Sequence, residues 1–170
     1  MDELVVLCTE DGEEIGTAPK VSVHTADTPL HLAFSAWLFD GEGNVLLTRR
    51  ALSKLTWPGV WTNSFCGHPG PGETFEEAVA RRGREELGTA VKDIESVLPD
   101  FRYRAVDASG IVENEVCPVF FAALDGDLNP RPEEVCDYQW VSMDDLREAV
   151  SRCPFIFSPW LVEELAQFQV

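Results

Sequence analysis

Residues 67–88, GHPGPGETFEEAVARRGREELG, decide the fold, because they join a loop rich in glycine and proline to an amphipathic segment. Thr74, followed three residues later by Glu77, is typical of the capping box that begins a helix. Gly88 fits the left-handed position that ends one. We therefore predict a helix over 73–88, entered from a glycine-rich loop.

Apolar runs on both sides of this segment predict strands. They cover 3–8, then 31–39 and 44–50 as a hairpin, and then 97–105, 113–124 and 137–141. Pro118 predicts a bulge or break within its run. Helices are predicted over 143–150, with Ser142 as cap, and over 159–168, and the stretch 125–132 is predicted as a loop. Mixed strands with few helices predict a single α+β or α/β sandwich.

The composition argues against several classes of function. At 170 residues the chain suits one domain, which we place over 1–170. A formal net charge of −17 disfavours nucleic acid and anionic membranes as partners, because both bind basic surfaces. The acidic N-terminus lacks the order of a signal peptide, and the five cysteines form no CxxC pair. We therefore expect a cytoplasmic protein with reduced thiols.

All three histidines lie in polar segments that could form one metal site. They are His24, His31 and His68, and Glu113 and Glu115 alternate along a predicted strand, so that both face the same side. Three imidazoles and two carboxylates are a plausible set of five ligands for Mn²⁺, Mg²⁺ or Zn²⁺. The alternatives are structural histidines and a solvated strand end.

The segment TNSFCGH, residues 62–68, brings a thiol close to this set. Extended geometry puts Cys66 and His68 on one face, and a thiol beside metal ligands and cations can exchange protons. The alternative is an inert buried cysteine. Nine of the 13 lysines and arginines lie in or beside these segments, which suggests a cationic pocket for a small polyanion such as a diphosphate.

The helical segment resembles the Nudix box, G-x5-E-x7-R-E-U-x-E-E-x-G-U, in which U is aliphatic. The positions that match are Gly67, Glu73, Arg81, Glu85, Glu86 and Gly88. Box carboxylates suit a divalent cation held against a diphosphate; the alternative is a helix with ordinary i,i+4 ion pairs. Arg82 replaces a box glutamate, which argues against hydrolysis of nucleoside diphosphates.

Other segments resemble type 1 isopentenyl diphosphate isomerases. TNSFCGHP (62–69) and GIVENEVCPVF (110–120) are the most specific, and the resemblance runs from about Leu4 to Trp160. It implies a Nudix-type α/β/α sandwich with a mixed β-sheet. It also implies an enzyme of isoprenoid biosynthesis that interconverts isopentenyl and dimethylallyl diphosphate by protonating and deprotonating the alkene.

The resemblance assigns roles to individual residues. Cys66 and Glu115 resemble the two catalytic groups on opposite sides of the alkene, and Tyr103 resembles a hydroxyl hydrogen-bonded to Glu115. The metal ligands implied are His24, His31, His68, Glu113 and Glu115, with Glu86 and the backbone carbonyl of Cys66 at a second site, where Mg²⁺ binds together with the substrate diphosphate. The residues implied for substrate binding are Lys20, Arg50, Lys54, Arg82 and Trp160. Which of the two catalytic groups is acid and which is base stays open, and we expect a monomer.

Two other functions remain to be distinguished from this one. A Nudix hydrolase would use the same box, although Arg82 and the TNSFCGHP segment argue against it. A non-catalytic binding module of the same fold would predict a damaged metal set, whereas all the candidate ligands are present.

Overall fold

Two β-sheets with helices packed around them make up residues 3–169, which the computed structural model describes. The strands are β1 (Leu4–Cys8), β2 (Glu14–Pro19), β3 (His31–Leu32), β4 (Phe34–Phe39), β5 (Val45–Arg50), β6 (Trp61–Thr62), β7 (Phe65–Gly67), β8 (Ala90–Leu98), β9 (Arg102–Val106), β10 (Val112–Val116), β11 (Val119–Asp125) and β12 (Val135–Val141). The helices are α1 (Lys20–Val23), α2 (Phe75–Leu87), α3 (Met143–Arg152) and α4 (Pro159–Gln167), with a 3₁₀ turn over Pro154–Ile156. Within this part of the chain, every helix is too short or too polar to cross a bilayer.

Both sheets are mixed, as the family resemblance implied. The smaller sheet has the order β2-β1-β3-β10-β9, and the larger has the order β12-β5-β4-β11-β8. The parallel pairs are β3 with β10 and β4 with β11. Parallel pairing needs long crossover connections, and here the chain between the paired strands supplies them.

Helices cover both faces of the larger sheet because side chains alternate along β4. Phe34 and Leu38 point into the cluster that contains Val79 and Leu87 of α2. Trp37 points into the opposite cluster, which holds Leu146 and Val150 of α3 and Trp160, Leu161 and Leu165 of α4. The predicted α/β/α layering is therefore present, with a strand period of two directing each side chain to its layer.

Three predicted strands are each split where the chain passes from one sheet to the other. The run 31–39 divides at Ala33 into β3 and β4, and 113–124 divides at Cys117 and Pro118 into β10 and β11. The run 97–105 divides between β8 and β9. Pro118 has no N–H for a ladder, which explains its break. A continuous apolar run correctly predicts extended chain, but it does not reveal where that chain leaves one sheet and joins the other.

The predicted hairpin of 31–39 with 44–50 is right at its turn and wrong along its length. β4 and β5 pair only at Phe39 and Val45, and then they diverge. The short strands β7 and β6 fill the gap, β7 on β4 and β6 on β5. The Ser64 hydroxyl joins the two sides, accepting from the Leu38 N–H at 2.7 Å and donating to the Leu46 carbonyl at 2.7 Å. The TNSFCGH segment is thus fixed between two core strands.

Helix α2 confirms its predicted caps. The Thr74 hydroxyl accepts from the Glu77 N–H at 3.2 Å, and the Glu77 carboxylate accepts from the Thr74 N–H at 2.9 Å. Gly88 has φ 65°, in the left-handed region. Ser142 also caps α3 as predicted, accepting from the Asp145 N–H at 3.1 Å. The sequence did not predict several strands, namely β2, the short strands β6 and β7, and most of β8.

Candidate active site

A cavity of about 420 Å³ is lined by residues from both sheets, α1, α2 and α4. Every residue assigned a role from the sequence lines it, with the exception of His31, which is fully buried beside Glu115. Segments that lie far apart in the chain therefore meet at one place, as the resemblance implied.

Three imidazoles and Glu115 form the candidate metal centre. His24, His31, His68 and Glu115 offer ligand atoms that all lie within 4.8 Å of one another. The Glu115 Oε1 atom is 3.4 Å from His31 Nε2 and 3.2 Å from His68 Nε2. Glu113 adds a second carboxylate, with its Oε2 atom 3.1 Å from His24 Nε2. This cluster could hold a metal ion.

Unsatisfied buried atoms support that fit. Among residues 3–169, three buried atoms of the cluster have no hydrogen-bond partner: His24 Nε2, His31 Nε2 and Glu113 Oε2. His24 Nε2 nevertheless lies 3.1 Å from Glu113 Oε2, and His31 Nε2 lies 3.4 Å from Glu115 Oε1. Buried polar atoms are rarely left unpaired, because desolvation is costly. His31 Nδ1 must carry its hydrogen, since it lies 2.9 Å from the Pro29 carbonyl, so its Nε2 lone pair faces the cluster. Nitrogen and oxygen donors of this kind suit a divalent cation.

The protonation states of two members of the cluster, Glu115 and His68, favour a ligand set. Burial would raise the pKa of Glu115, but interactions with His31 and His68 outweigh it and hold that pKa well below its usual range. Burial lowers the pKa of His68 to about 4. Burial and the charge of Glu115 raise the pKa of Glu113. An ionised carboxylate and a neutral imidazole are the forms that bind metals.

Two residues of the box hold the loop before α2. Arg81 binds the Glu73 carboxylate in a bidentate pair at 2.7 and 2.8 Å, and it donates to the His68 carbonyl at 3.0 Å. Glu73 in turn accepts from the Gly70 N–H at 2.8 Å. Bidentate arginine pairs fix geometry as well as charge. Glu73 and Arg81 therefore position the backbone that carries Cys66 and His68.

Cationic side chains and Glu86 line another part of the cavity. Arg82 is buried and forms an ion pair with Glu86 at 2.8 Å and a longer contact with Glu134 at 3.6 Å. Lys54 forms an ion pair with Glu134. The pKa of Glu86 is raised, mainly by burial, against the pull of Arg82. Glu134 lies between the loop predicted over 125–132 and the strand predicted over 137–141, and no motif signalled its role.

Lys20 and Arg50 complete the cationic set. Lys20 forms an ion pair with Glu3 at 3.0 Å. Arg50 donates to the Thr56 carbonyl at 2.9 Å, and its guanidinium carbon lies 5.5 Å from the ring centroid of Trp160. Thr56 also donates to Glu113 at 3.1 Å, which links the cationic region to the metal cluster.

Aromatic rings form one wall. Trp160 is buried, with Tyr103 at 5.7 Å and Trp57 at 5.3 Å between ring centroids. Tyr103 is the direct cross-strand neighbour of Glu115, so both side chains lie on one face of the sheet. The hydrogen bond implied between Tyr103 and Glu115 is not formed among the described residues, because adjacency across the ladder does not by itself bring the hydroxyl to the carboxylate. The sequence assignment is corrected on that point.

Cys66 sits in a buried polar network that the sequence did not predict. Its thiol donates to the Ser35 hydroxyl at 3.5 Å, and Ser35 donates to the Glu164 carboxylate at 2.9 Å. The Asn63 amide donates to Ser35 at 2.8 Å and accepts from the Trp160 indole at 3.1 Å. Burial and the nearby charge of Glu164 raise the pKa of the Cys66 thiol. The network fixes both the sulfur and the indole ring.

Comparisons with known proteins agree with this arrangement. A family model described as the NUDIX domain matches residues 29–161. An isopentenyl-diphosphate Delta-isomerase from Clavibacter michiganensis subsp. michiganensis is 62% identical over 163 residues, covering 96% of this chain and 84% of that protein. One from Paenarthrobacter aurescens is 61% identical over 159 residues, covering 94% and 86%.

Solved structures support the fold. DR0079 from Deinococcus radiodurans matches with a TM-score of 0.73 at 20% identity, covering 97% of this chain and 98% of that one. A MutT NUDIX hydrolase from Burkholderia pseudomallei matches with a TM-score of 0.63 at 24% identity, covering 82% and 98%. At these identities the likeness concerns the arrangement of helices and strands alone.

Proposed function

Since the chain belongs to the isopentenyl-diphosphate Delta-isomerases, within the NUDIX family, we propose that its cavity interconverts isopentenyl and dimethylallyl diphosphate. One observation carries this proposal: Cys66, Glu115 and the histidine cluster line or adjoin the same cavity as the buried Arg82. An isomerase needs proton-transfer groups beside an apolar chain and cations at its anionic end. The cavity supplies both.

The histidine cluster is proposed to hold Mn²⁺, Mg²⁺ or Zn²⁺ through His24, His31, His68, Glu113 and Glu115. A cation bound there would offset the charge of the two carboxylates and keep Glu115 fixed at the cavity wall. The buried atoms that lack partners in this cluster support the assignment.

Diphosphate binding is proposed at the cationic end of the cavity. The residues that would contact the phosphates are Lys20, Arg50, Lys54 and Arg82. Glu86 and the backbone carbonyl of Cys66 would hold Mg²⁺ with the substrate, and this ion would neutralise phosphate charge. Glu134 pairs with Lys54 and approaches Arg82, so it holds two of these cations ready before substrate arrives.

The chemistry follows from the two proton-transfer groups. A proton delivered from the side of Glu115 and Tyr103 to the terminal alkene carbon leaves a tertiary carbocation. The face of Trp160 stabilises that charge by cation–π attraction, worth up to about 2 kcal/mol when desolvated. The Cys66 thiolate then removes a proton from the carbon next to the one that bears the diphosphate oxygen. Positioned proton transfer contributes about 10²–10⁴-fold to such rates.

Hydrolysis of nucleoside diphosphates is the competing function. It is disfavoured because Arg82 occupies the position of a box carboxylate and binds Glu86 at 2.8 Å. A non-catalytic binding role is disfavoured because four candidate ligands cluster together and the fifth, Glu113, lies 3.1 Å from His24. We further expect a monomer in the cytoplasm, and light scattering after gel filtration tests the first of these expectations.

A direct assay separates the three functions. The purified protein, loaded with Mn²⁺ or Mg²⁺, is incubated with isopentenyl diphosphate, and the product is followed by NMR. Dimethylallyl diphosphate is the expected product, without release of phosphate. Phosphate release from nucleoside diphosphates would identify a hydrolase instead, and binding without turnover would identify a non-catalytic module.

A further inference from the structure

Trp57 has a backbone conformation that its sequence context disfavours. Its φ is 43°, in the left-handed region, which a residue with a bulky side chain rarely adopts. Pro58 follows it, and a proline normally restricts the residue before it to extended conformations. Such a bend persists only where the surrounding contacts hold it, and bends of this kind cluster at functional sites. The contacts of Trp57 therefore indicate which groups the loop between β5 and β6 positions.

Asp107 supplies one of these contacts from the other sheet. It lies in the turn between β9 and β10, and its Oδ2 atom accepts from the Trp57 N–H at 2.8 Å. Its Oδ1 atom accepts from the backbone N–H and the hydroxyl of Ser109. Asp107 is only 8% exposed, and an aspartate is rarely buried unless its carboxylate has partners. One buried carboxylate thus joins its own turn to a loop 50 positions earlier in the chain.

The peptide unit between Thr56 and Trp57 lies between two opposite charges. Its N–H donates to Asp107, and its carbonyl, which belongs to Thr56, accepts from Arg50 Nη2 at 2.9 Å. Arg50 Nε donates to the carbonyls of Thr56 and Trp57, at 3.1 and 3.2 Å. The N–H and C=O of a planar trans peptide point in opposite directions, so a carboxylate on the N–H strengthens the carbonyl as an acceptor. Asp107 therefore strengthens the contact between this loop and the Arg50 guanidinium.

The same bend places the Trp57 ring against Trp160. The two rings meet edge to face, at 90° with 5.3 Å between centroids, which is a favoured geometry for aromatic pairs. The Arg50 guanidinium carbon lies 5.5 Å from the centroid of the Trp160 ring. Arg50 and Trp160 both line the cavity, whereas Asp107, among the described residues, is not part of its lining.

We propose that Asp107 is a positioning residue for the isomerisation, and that it acts by holding the bend at Trp57. The bend in turn directs Arg50 toward the diphosphate and Trp160 toward the alkene. Because Nε and Nη2 of Arg50 donate to the loop, Nη1 is the nitrogen that remains, among the described residues, for a phosphate oxygen. The inference deepens the proposed function, on which it rests, by naming the group that fixes both ends of the substrate site.

Hydrogen exchange of the Arg50 Nε–H tests the inference without turnover. It is measured by NMR on the intact, isotope-labelled protein, wild type or Asp107→Ala. The Arg81 Nε–H, which donates to Glu73 at 2.7 Å, serves as the internal reference. We expect exchange at Arg50 to accelerate at least tenfold in Asp107→Ala, while exchange at Arg81 changes less than twofold. Asp107→Asn keeps an acceptor oxygen, so exchange at Arg50 should stay within about threefold of the wild-type rate.

Asp40→Ala is the matched control. Asp40 also closes a turn, since its carboxylate accepts from the N–H groups of Glu42 and Asn44 at 2.8 and 2.9 Å. This turn joins β4 to β5 and lies outside the lining of the cavity. Loss of this carboxylate should therefore leave exchange at Arg50 at the wild-type rate.

Ser109→Ala separates the two sets of contacts that Asp107 makes. It removes the hydroxyl contact within the turn and keeps the contact with the Trp57 N–H, so Arg50 should stay protected. An unchanged rate at Arg50 in Asp107→Ala would overturn the inference. An equal acceleration in Ser109→Ala would also overturn it, because the turn, and not the link to Trp57, would then be responsible.

Turnover provides the second measurement. Asp107→Ala should raise KM for isopentenyl diphosphate at least tenfold, because Arg50 no longer meets the diphosphate in a fixed geometry, and it should lower kcat at least threefold through Trp160. A merely structural role would lower kcat by reducing the folded fraction and would leave KM unchanged, so an unchanged KM would contradict the inference. An inactive wild type whose Arg50 exchange still responds to Asp107→Ala would contradict the proposed function alone. An active wild type with an unaffected Asp107→Ala variant would contradict this inference alone.

Discussion

At the scale of single residues, the polar motifs and the family resemblance predicted the groups that face the cavity but not those behind them. The histidines and Glu115 were predicted to meet because each lies in a polar segment, and the structure brings their ligand atoms together. Glu164 was missed because a Glu-Glu pair in a helix suggests a solvated face. The spacing along the helix could have predicted its burial, because Leu161, Glu164 and Leu165 share one face, and all three are buried.

The buried carboxyl of Glu164 predicts a pH-dependent stability. Its pKa is raised from 4.5 to about 8, so the folded state favours the protonated form. The stability contributed by that form is complete below the unfolded pKa and is lost as pH rises through the folded value. Relative to wild type, Glu164→Gln should therefore gain more than about 1 kcal/mol of unfolding free energy between pH 5 and pH 8.

Urea unfolding of both proteins across this range measures the difference. The change should be confined to the interval between the two pKa values, with parallel curves at lower pH. A difference between the two proteins that stays constant from pH 5 to pH 8 would show that Glu164 titrates normally.

At the scale of elements, the caps of α2 were predictable and the partners of the strands were not. Thr74, Glu77 and Gly88 act through neighbours within a few residues, so their pattern is visible in the sequence. The divergence of β4 and β5 depends on Ser64, which contacts Leu38 and Leu46 from a distant segment. A strand pattern indicates which side chains face the core, but it leaves open which strand lies next to it.

The structure at the end of α2 predicts that one methyl group added at Gly88 lowers the free energy of unfolding strongly. The last carbonyls of the helix accept from the loop that follows β11, with the Asn129 N–H on the Leu87 carbonyl at 2.9 Å. Gly88 has φ 65°, and a Cβ there would press into the Asn129 carbonyl. Gly88→Ala should therefore reduce the unfolding free energy by at least about 3 kcal/mol, combining backbone strain with displacement of this loop.

Gly43→Ala is the matched control. Gly43 has φ 85° and open space around its Cβ position, so the same substitution carries strain without a contact. It should lose about 1–2 kcal/mol. Urea unfolding measures both variants. Equal losses of unfolding free energy would mean that the loop at Asn129 moves away from the added methyl group without an energetic cost.

At the scale of the whole molecule, one cavity gathers residues from nearly the full length of the chain. Lys20 and Trp160 both line it, although 140 positions separate their numbers in the sequence. The carboxylates of β10 and the thiol on β7 line this same cavity, although β10 and β7 belong to different sheets. The family resemblance predicted this gathering in full, whereas the residue patterns alone predicted an α+β fold, a metal site and a cationic pocket. The polar network behind Cys66 depends on packing between β4 and α4, which no local pattern reveals.

A metal ion at the histidine cluster predicts that stability depends on metal. A ligand that binds only the folded state stabilises it by about 2.7 kcal/mol at a concentration 100 times its Kd. Tm should therefore rise on adding Mn²⁺ or Zn²⁺ to chelator-treated protein. His24→Ala should lose most of this rise, while Cys153→Ala, a change outside the cavity, should keep it. A Tm that is indifferent to both metals in the wild type would contradict the proposed centre.

Deuterium transfer tests the central claim most directly. Isopentenyl diphosphate is incubated in D₂O with wild type, Cys66→Ala and Glu115→Ala, each loaded with metal, and the position of the label is read by NMR. The wild type should yield dimethylallyl diphosphate with deuterium in a methyl group, and each variant should lose at least about 100-fold in rate while remaining folded. A Cys66→Ala variant that turns over at the wild-type rate, or a wild type that gives neither product nor label, would contradict the account.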